Sequence, residues 1–176
     1  MLTRCDKLAI DDLAFVQLTS IRYRMTETIH ASAVLFGTRA LLIRGPSGAG
    51  KSQLALDLIV AAAAQRRFAR LIGDDRVALQ SAGGRLLVRP APALAGLIEL
   101  RGVGILRLDY EPCGVVALAV DLAAADAERL PESRDTIVGG IKLPRFAIPP
   151  GLAPLPPVLA LLTFPRAEPL TGPWEE

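Results

Sequence analysis

The stretch Gly45-Pro46-Ser47-Gly48-Ala49-Gly50-Lys51-Ser52 satisfies every fixed position of the pattern G-x-x-x-x-G-K-S/T, and no other feature constrains this chain as strongly. Without a Cβ at Gly45, Gly48 and Gly50, the backbone can curl around an anion and aim successive N–H groups at its oxygens. A helix opening near Lys51 adds its positive end. Lys51 then reaches the β- and γ-phosphates of a nucleotide, and the Ser52 hydroxyl ligates a magnesium ion that bridges them. The flanks agree with this reading. Ala40 to Ile43 reads as a short buried strand entering the loop, and Ser52 to Ala64 has helix-forming residues with no Gly or Pro. The expected fold class is α/β, with a nucleotide and Mg2+ as the ligands.

Composition narrows the partners. A chain of 176 residues that is 51% hydrophobic is expected to fold as one domain around a full core. Its formal charge of +2, from 20 basic and 18 acidic residues, comes without a Lys/Arg run, so nucleic acid is not an expected partner. The longest apolar run, Leu58 to Ala64, is far shorter than a membrane span. Cys5 and Cys113 match no metal-ligand spacing and read as reduced thiols, which points to a cytoplasmic protein.

Residues 1–28 read as an N-terminal extension in which Leu8 to Leu18 could form a short helix and Met25 is a second candidate start. Residues 29–164 form the expected catalytic domain, and 165–176 a tail. Ile29 to Phe36, a turn at Gly37-Thr38-Arg39 and Ala40 to Arg44 read as a β-hairpin feeding the phosphate loop, which implies a mixed sheet. His30 falls at the beginning of the first hairpin strand, where it is either a site residue or a satisfied strand-end histidine. Ala69 to Gly73 is a strand ending at Asp74-Asp75, the end at which α/β sheets place ligands. One carboxylate can hold magnesium, directly or through water, and the other can accept a proton from an attacking hydroxyl. Val77 to Leu79 and Arg85 to Val88 read as a second hairpin across Ser81 to Gly84, and Leu97 to Leu100, Ile105 to Leu108 and Val115 to Val120 as further strands. Glu99 and Arg101 alternate with apolar neighbours, a pattern that suits a solvated strand edge as well as a site. Asp121 to Pro131 reads as a loop with a helical turn, Gly139 to Phe146 as a basic strand or loop, and Leu155 to Phe164 as a closing helix.

His30, the GPSGAGKS loop, Gly73-Asp74-Asp75-Arg76-Val77 and Glu99-Leu100-Arg101-Gly102-Val103-Gly104-Ile105, taken in that order, resemble the catalytic domain of HPr kinase/phosphorylase, in its short form without the N-terminal domain. The resemblance runs from about His30 to Arg145. It implies a P-loop kinase fold similar to that of phosphoenolpyruvate carboxykinase, with a mixed central sheet and flanking helices. The implied activity is ATP-dependent phosphorylation of a serine of HPr or an HPr-like phosphocarrier, with phosphorolysis as its reverse, in an assembly that is hexameric in the family. The roles it implies are phosphate binding for Lys51 and the loop, metal ligation for Ser52 and Glu99 with Asp74 on metal or water, and proton transfer for Asp75. His30 is implied near the reacting phosphate and Arg101 in support of both directions. The family's later active-site arginine is matched first to Arg129 and second to Arg145. Pro46 stands where the long forms usually carry Asp, and Leu143-Pro144-Arg145 is the nearest match to the family's proline-arginine-glycine loop. Two other functions use the same loop: phosphorylation of a small molecule, and ATP sensing by a protein that acts by binding a regulatory partner.

Overall fold

The computed structural model describes residues 28–129 and 134–164, so the expectations for Leu8 to Leu18, Met25 and the tail fall outside the described residues. Its elements are β1 (Thr28–His30), β2 (Ser32–Phe36), β3 (Arg39–Arg44), α1 (Lys51–Ala64), β4 (Ala69–Gly73), β5 (Arg76–Ala82), β6 (Arg85–Pro90), β7 (Leu97–Leu100), β8 (Gly104–Arg107), β9 (Gly114–Asp121), β10 (Asp135–Val138), β11 (Ile141–Ala147) and α2 (Leu155–Thr163). The main sheet runs in the order β1-β5-β6-β9-β3-β2-β4, with the β10–β11 hairpin joined to the end of β9. It is mixed, as the hairpin before the loop requires: β3 and β9 are parallel, β2 and β3 antiparallel.

Both faces of the sheet are covered. Val34, Leu41, Ile43 and Val120 pack with Leu54 and Leu58 of α1 and Val158 of α2, while Leu42, Ile72, Leu86 and Val88 form a second core on the other face. A strand buried on two sides needs apolar residues at consecutive positions, which is why Ala40-Leu41-Leu42-Ile43 carries no alternation. These four residues have no exposure. Among the described residues, no helix is long and apolar enough to cross a membrane.

Three local expectations need correction. The segment before the loop is two strands: β2 pairs with β3, but His30 lies on the separate β1, opposite Arg76 of β5. The stretch from Gly139 is the second half of a hairpin whose two-residue turn is Gly139-Gly140, both at positive φ; its first strand, Asp135–Val138, lacks a long apolar alternation and escaped detection. Cys113 is buried and disulfide-bonded, because spacing along the chain tests for metal motifs and says nothing of pairing in space.

Under the loop, the ends of β3, β9 and β11 are joined by charge. Asp121 accepts from Arg44 Nε and Nη2 at 2.7 and 2.8 Å and from Arg145 Nε at 2.6 Å. Arg145 also binds Asp126 through both terminal nitrogens. Burial pushes the Asp121 carboxyl up, but the bonds from Arg44 and Arg145 outweigh it and hold the group below its ordinary 3.8. Its contribution to stability is therefore full above that value and is lost as the pH falls through the lower, folded-state value. Asp121→Asn is expected to lower unfolding free energy at neutral pH by about 2–3 kcal/mol, below the usual figure for breaking a buried pair because both arginines keep some contact with water. Denaturant titrations at neutral pH and near pH 3 should show the gap between the two proteins narrowing in acid.

Candidate active site

The loop leaves β3 at Gly45 and enters α1 at Lys51, with φ of 146°, 79° and 90° at Gly45, Gly48 and Gly50. A Cβ at Gly45 would stand 2.8 Å from the Leu122 carbonyl oxygen, so only glycine lets the loop pass the end of β9. Lys51 is buried, its ammonium donating to the Gly45 and Pro46 carbonyls at 3.0 and 2.9 Å. Burial lowers its pKa from the ordinary 10.5, against the pull of Asp74 and Asp75.

Strand register explains the acidic pair. Ala33 of β2 pairs with Gly73 of β4, and His30 of β1 pairs with Arg76 of β5. The run His30-Ala31-Ser32 therefore lies antiparallel to Asp74-Asp75-Arg76. Residues two apart share a face, which turns Ser32 and His30 to the same side. The two aspartates meet different surroundings there. Asp74 is 3% exposed, and its Oδ1 accepts from Ser32 Oγ at 2.5 Å and Ser52 Oγ at 2.9 Å, while Oδ2 accepts from the Glu99 N–H at 3.2 Å. Asp75 has a side chain 57% exposed; the His30 Nδ1 lies 3.0 Å from its backbone carbonyl oxygen and 3.1 Å from Oδ1. Its φ is 62°, inside a tight turn closed by the Arg76 N–H on the Asp74 carbonyl at 2.7 Å. Asp tolerates that conformation better than most side chains, and backbone strain of this kind gathers at functional sites.

The third element is the β7–β8 hairpin. Ile98 and Leu100 are buried in the core that also holds α1, so alternation turns Glu99 outward. Beyond it, an Arg101 guanidinium nitrogen lies 3.6 Å from where a Cβ on Gly48 would sit, placing this cation over the loop.

These parts enclose one cleft of about 750 Å³ whose walls include His30, Gly48, Lys51, Ser52, Asp74, Asp75, Glu99 and Arg101. The structure thus gathers most of the residues expected from sequence. It does not gather the two later arginines: Arg129 is exposed on the connection after β9 and is absent from the cleft wall, and Arg145 is held by Asp121 and Asp126. Ser32 was missed, although a hydroxyl inside the apolar run Ala31 to Val34 signals a buried partner. Gln53, also on the cleft wall, had no signal beyond its place after the loop.

The donors suit magnesium. Ser52 gives its single proton to Asp74 and keeps oxygen lone pairs for a hard cation, and the Glu99 carboxylate is exposed in the same cleft. Among the described residues, no group of three or more His, Cys, Asp or Glu stands close enough to hold a metal ion.

Comparison with known proteins follows the same lines. Residues 22–112 match the family model described as HPr Serine kinase C-terminal domain. The HPr kinase/phosphorylase of Limosilactobacillus reuteri is 32% identical over 136 residues, covering 70% of this chain and 41% of that protein. That of Streptococcus thermophilus is 35% identical over 135 residues, covering 69% and 42%. The chain therefore spans less than half the length of these curated relatives. A solved structure, the Hpr(Ser) kinase/phosphatase from Coxiella burnetii, superposes with a TM-score of 0.62 at 25% identity, over 76% of this chain and 91% of that one.

Proposed function

The chain belongs to the HPr Serine kinase C-terminal domain family, and we propose that it is an ATP-dependent kinase that phosphorylates a serine of HPr or an HPr-like phosphocarrier in phosphotransferase-system regulation. One observation carries the reading: an exposed carboxylate, Asp75, paired with His30, shares a cleft with the Lys51-Ser52 end of the phosphate loop and the Arg101 cation. A binding-only module has no use for an exposed carboxylate beside a phosphate cradle. A transferase for hydroxyl groups needs one.

Residues 29–164 supply each part of the reaction. Loop amides and Lys51 hold the phosphates of ATP. Ser52 and Glu99, with Asp74 behind them, would hold magnesium, which would supply neutralisation of the phosphate charge. Asp75 takes the proton of the target serine as its oxygen bonds to the γ-phosphorus and the bond to the bridging oxygen of ADP breaks. His30 orients the Asp75 carboxylate, and Arg101 faces the charge on the transferred group. In phosphorolysis an oxygen of inorganic phosphate bonds to the phosphoserine phosphorus, the bond to the serine oxygen breaks as Asp75 returns the proton to that oxygen, and pyrophosphate leaves, so the same carboxylate serves both transfers.

The test is incubation with magnesium, γ-labelled ATP and purified HPr, read by mass spectrometry. One phosphoryl group is expected on a serine of HPr, absent with Lys51→Ala. Label found on a small molecule, or released only as free phosphate, overturns the protein-kinase reading.

A further inference from the structure

We propose that Ser32 is a positioning residue of the phosphate site, acting through Asp74 to aim the Ser52 hydroxyl and so to set the affinity for the magnesium that accompanies a nucleotide; this rests on the reading of the cleft as a magnesium-nucleotide site. Ser32 is fully buried between Ala31, Ala33 and Val34, which are equally buried. A hydroxyl in such a place is destabilising unless bonded. Its bond goes across the sheet, at 2.5 Å, to the oxygen of Asp74 that also accepts the Ser52 proton at 2.9 Å.

The arrangement ties the two serines together. Asp74 is buried with three donors on it, and ionised it offers only acceptors. Ser32 holds Oδ1 from the β2 side and Glu99 N–H holds Oδ2, so the carboxylate cannot tilt. With Asp74 fixed, the Ser52 proton has one direction and its lone pairs are left toward the cleft. Without Ser32, Oδ1 loses its buried donor, the carboxylate is free to turn, and Ser52 turns with it. Outer-shell partners of metal ligands are typically worth 10–100-fold in metal affinity.

Nucleotide titrations of the whole chain test this, with fluorescent ATP analogue in magnesium and again in excess chelator. Ser32→Ala is expected to weaken magnesium-dependent binding by about 10–100-fold while leaving chelator binding within about twofold, since loop amides are untouched. Ser32→Thr, which keeps the hydroxyl, should restore most of the loss. Should the added methyl disturb this packed position, the Ser52→Ala background decides. There Ser32→Ala should weaken magnesium-dependent binding no further, because the hydroxyl it aims is gone. An equal loss with and without magnesium, an additive loss in the Ser52→Ala background, or a fall in thermal stability alone overturns the proposal. No acceptor protein is present, so failure here leaves the kinase reading standing, whereas a chain that binds no nucleotide brings down both.

Discussion

Asp75→Asn is expected to reduce phosphoryl transfer to the carrier protein by about 10²- to 10⁴-fold, the usual contribution of a positioned general base. Nucleotide binding and folding should be nearly unchanged. The separation is expected because Asp75 is the exposed member of the pair, at 57%, while Asp74 carries the buried bonds to Ser32, Ser52 and Glu99. Asn also tolerates the positive φ that Asp75 adopts, so the turn between β4 and β5 survives. Asp75→Ala would confuse the result by adding strain at φ 62° to the loss of the base. Quench-flow measurement of single-turnover transfer is the check; an Asp75→Asn protein with normal turnover removes Asp75 from the mechanism and leaves His30, 3.1 Å away, as the group to test.

What could be read from sequence was whatever a short stretch determines alone. The phosphate loop, with its flanking strand and helix, is set by glycines, Lys51 and composition, and the structure has β3 and α1 in those places. The acidic pair after β4 was equally local, whereas local alternation left Glu99 open between a solvated strand edge and a site, and the family resemblance decided for the site. What escaped depends on pairings between distant segments. Ser32 matters only because β2 meets β4 in a register that sets it against Asp74, a separation of 42 residues. Asp121 joins Arg44 because β9 inserts beside β3, 77 residues from it, and the same bond network occupies Arg145. Side-chain chemistry named these residues as polar; only the strand order says which of them meet.

Lys51→Ala is expected to reduce transfer by about 10²- to 10³-fold or more, by removing a cation aimed at charge on the transferred group. The fold should persist, since β3 and the core face of α1 are held by Leu41, Ile43, Leu54 and Leu58. A pH dependence distinguishes this role from a merely structural one. In the free protein Lys51 is buried against the Gly45 and Pro46 carbonyls, and burial holds its pKa below 10.5. Phosphate oxygens favour the charged form, so nucleotide raises that pKa. Affinity should then be level at low pH and fall as pH rises through the lowered value, in a window that opens below 10.5. The variant has no such group, and its weaker affinity should lack this alkaline decline. Titration calorimetry from pH 7 upward measures both curves. If the wild-type protein shows no alkaline decline that the variant lacks, Lys51 stays on the loop carbonyls when nucleotide binds, and phosphate binding falls to the loop amides and the N-terminus of α1.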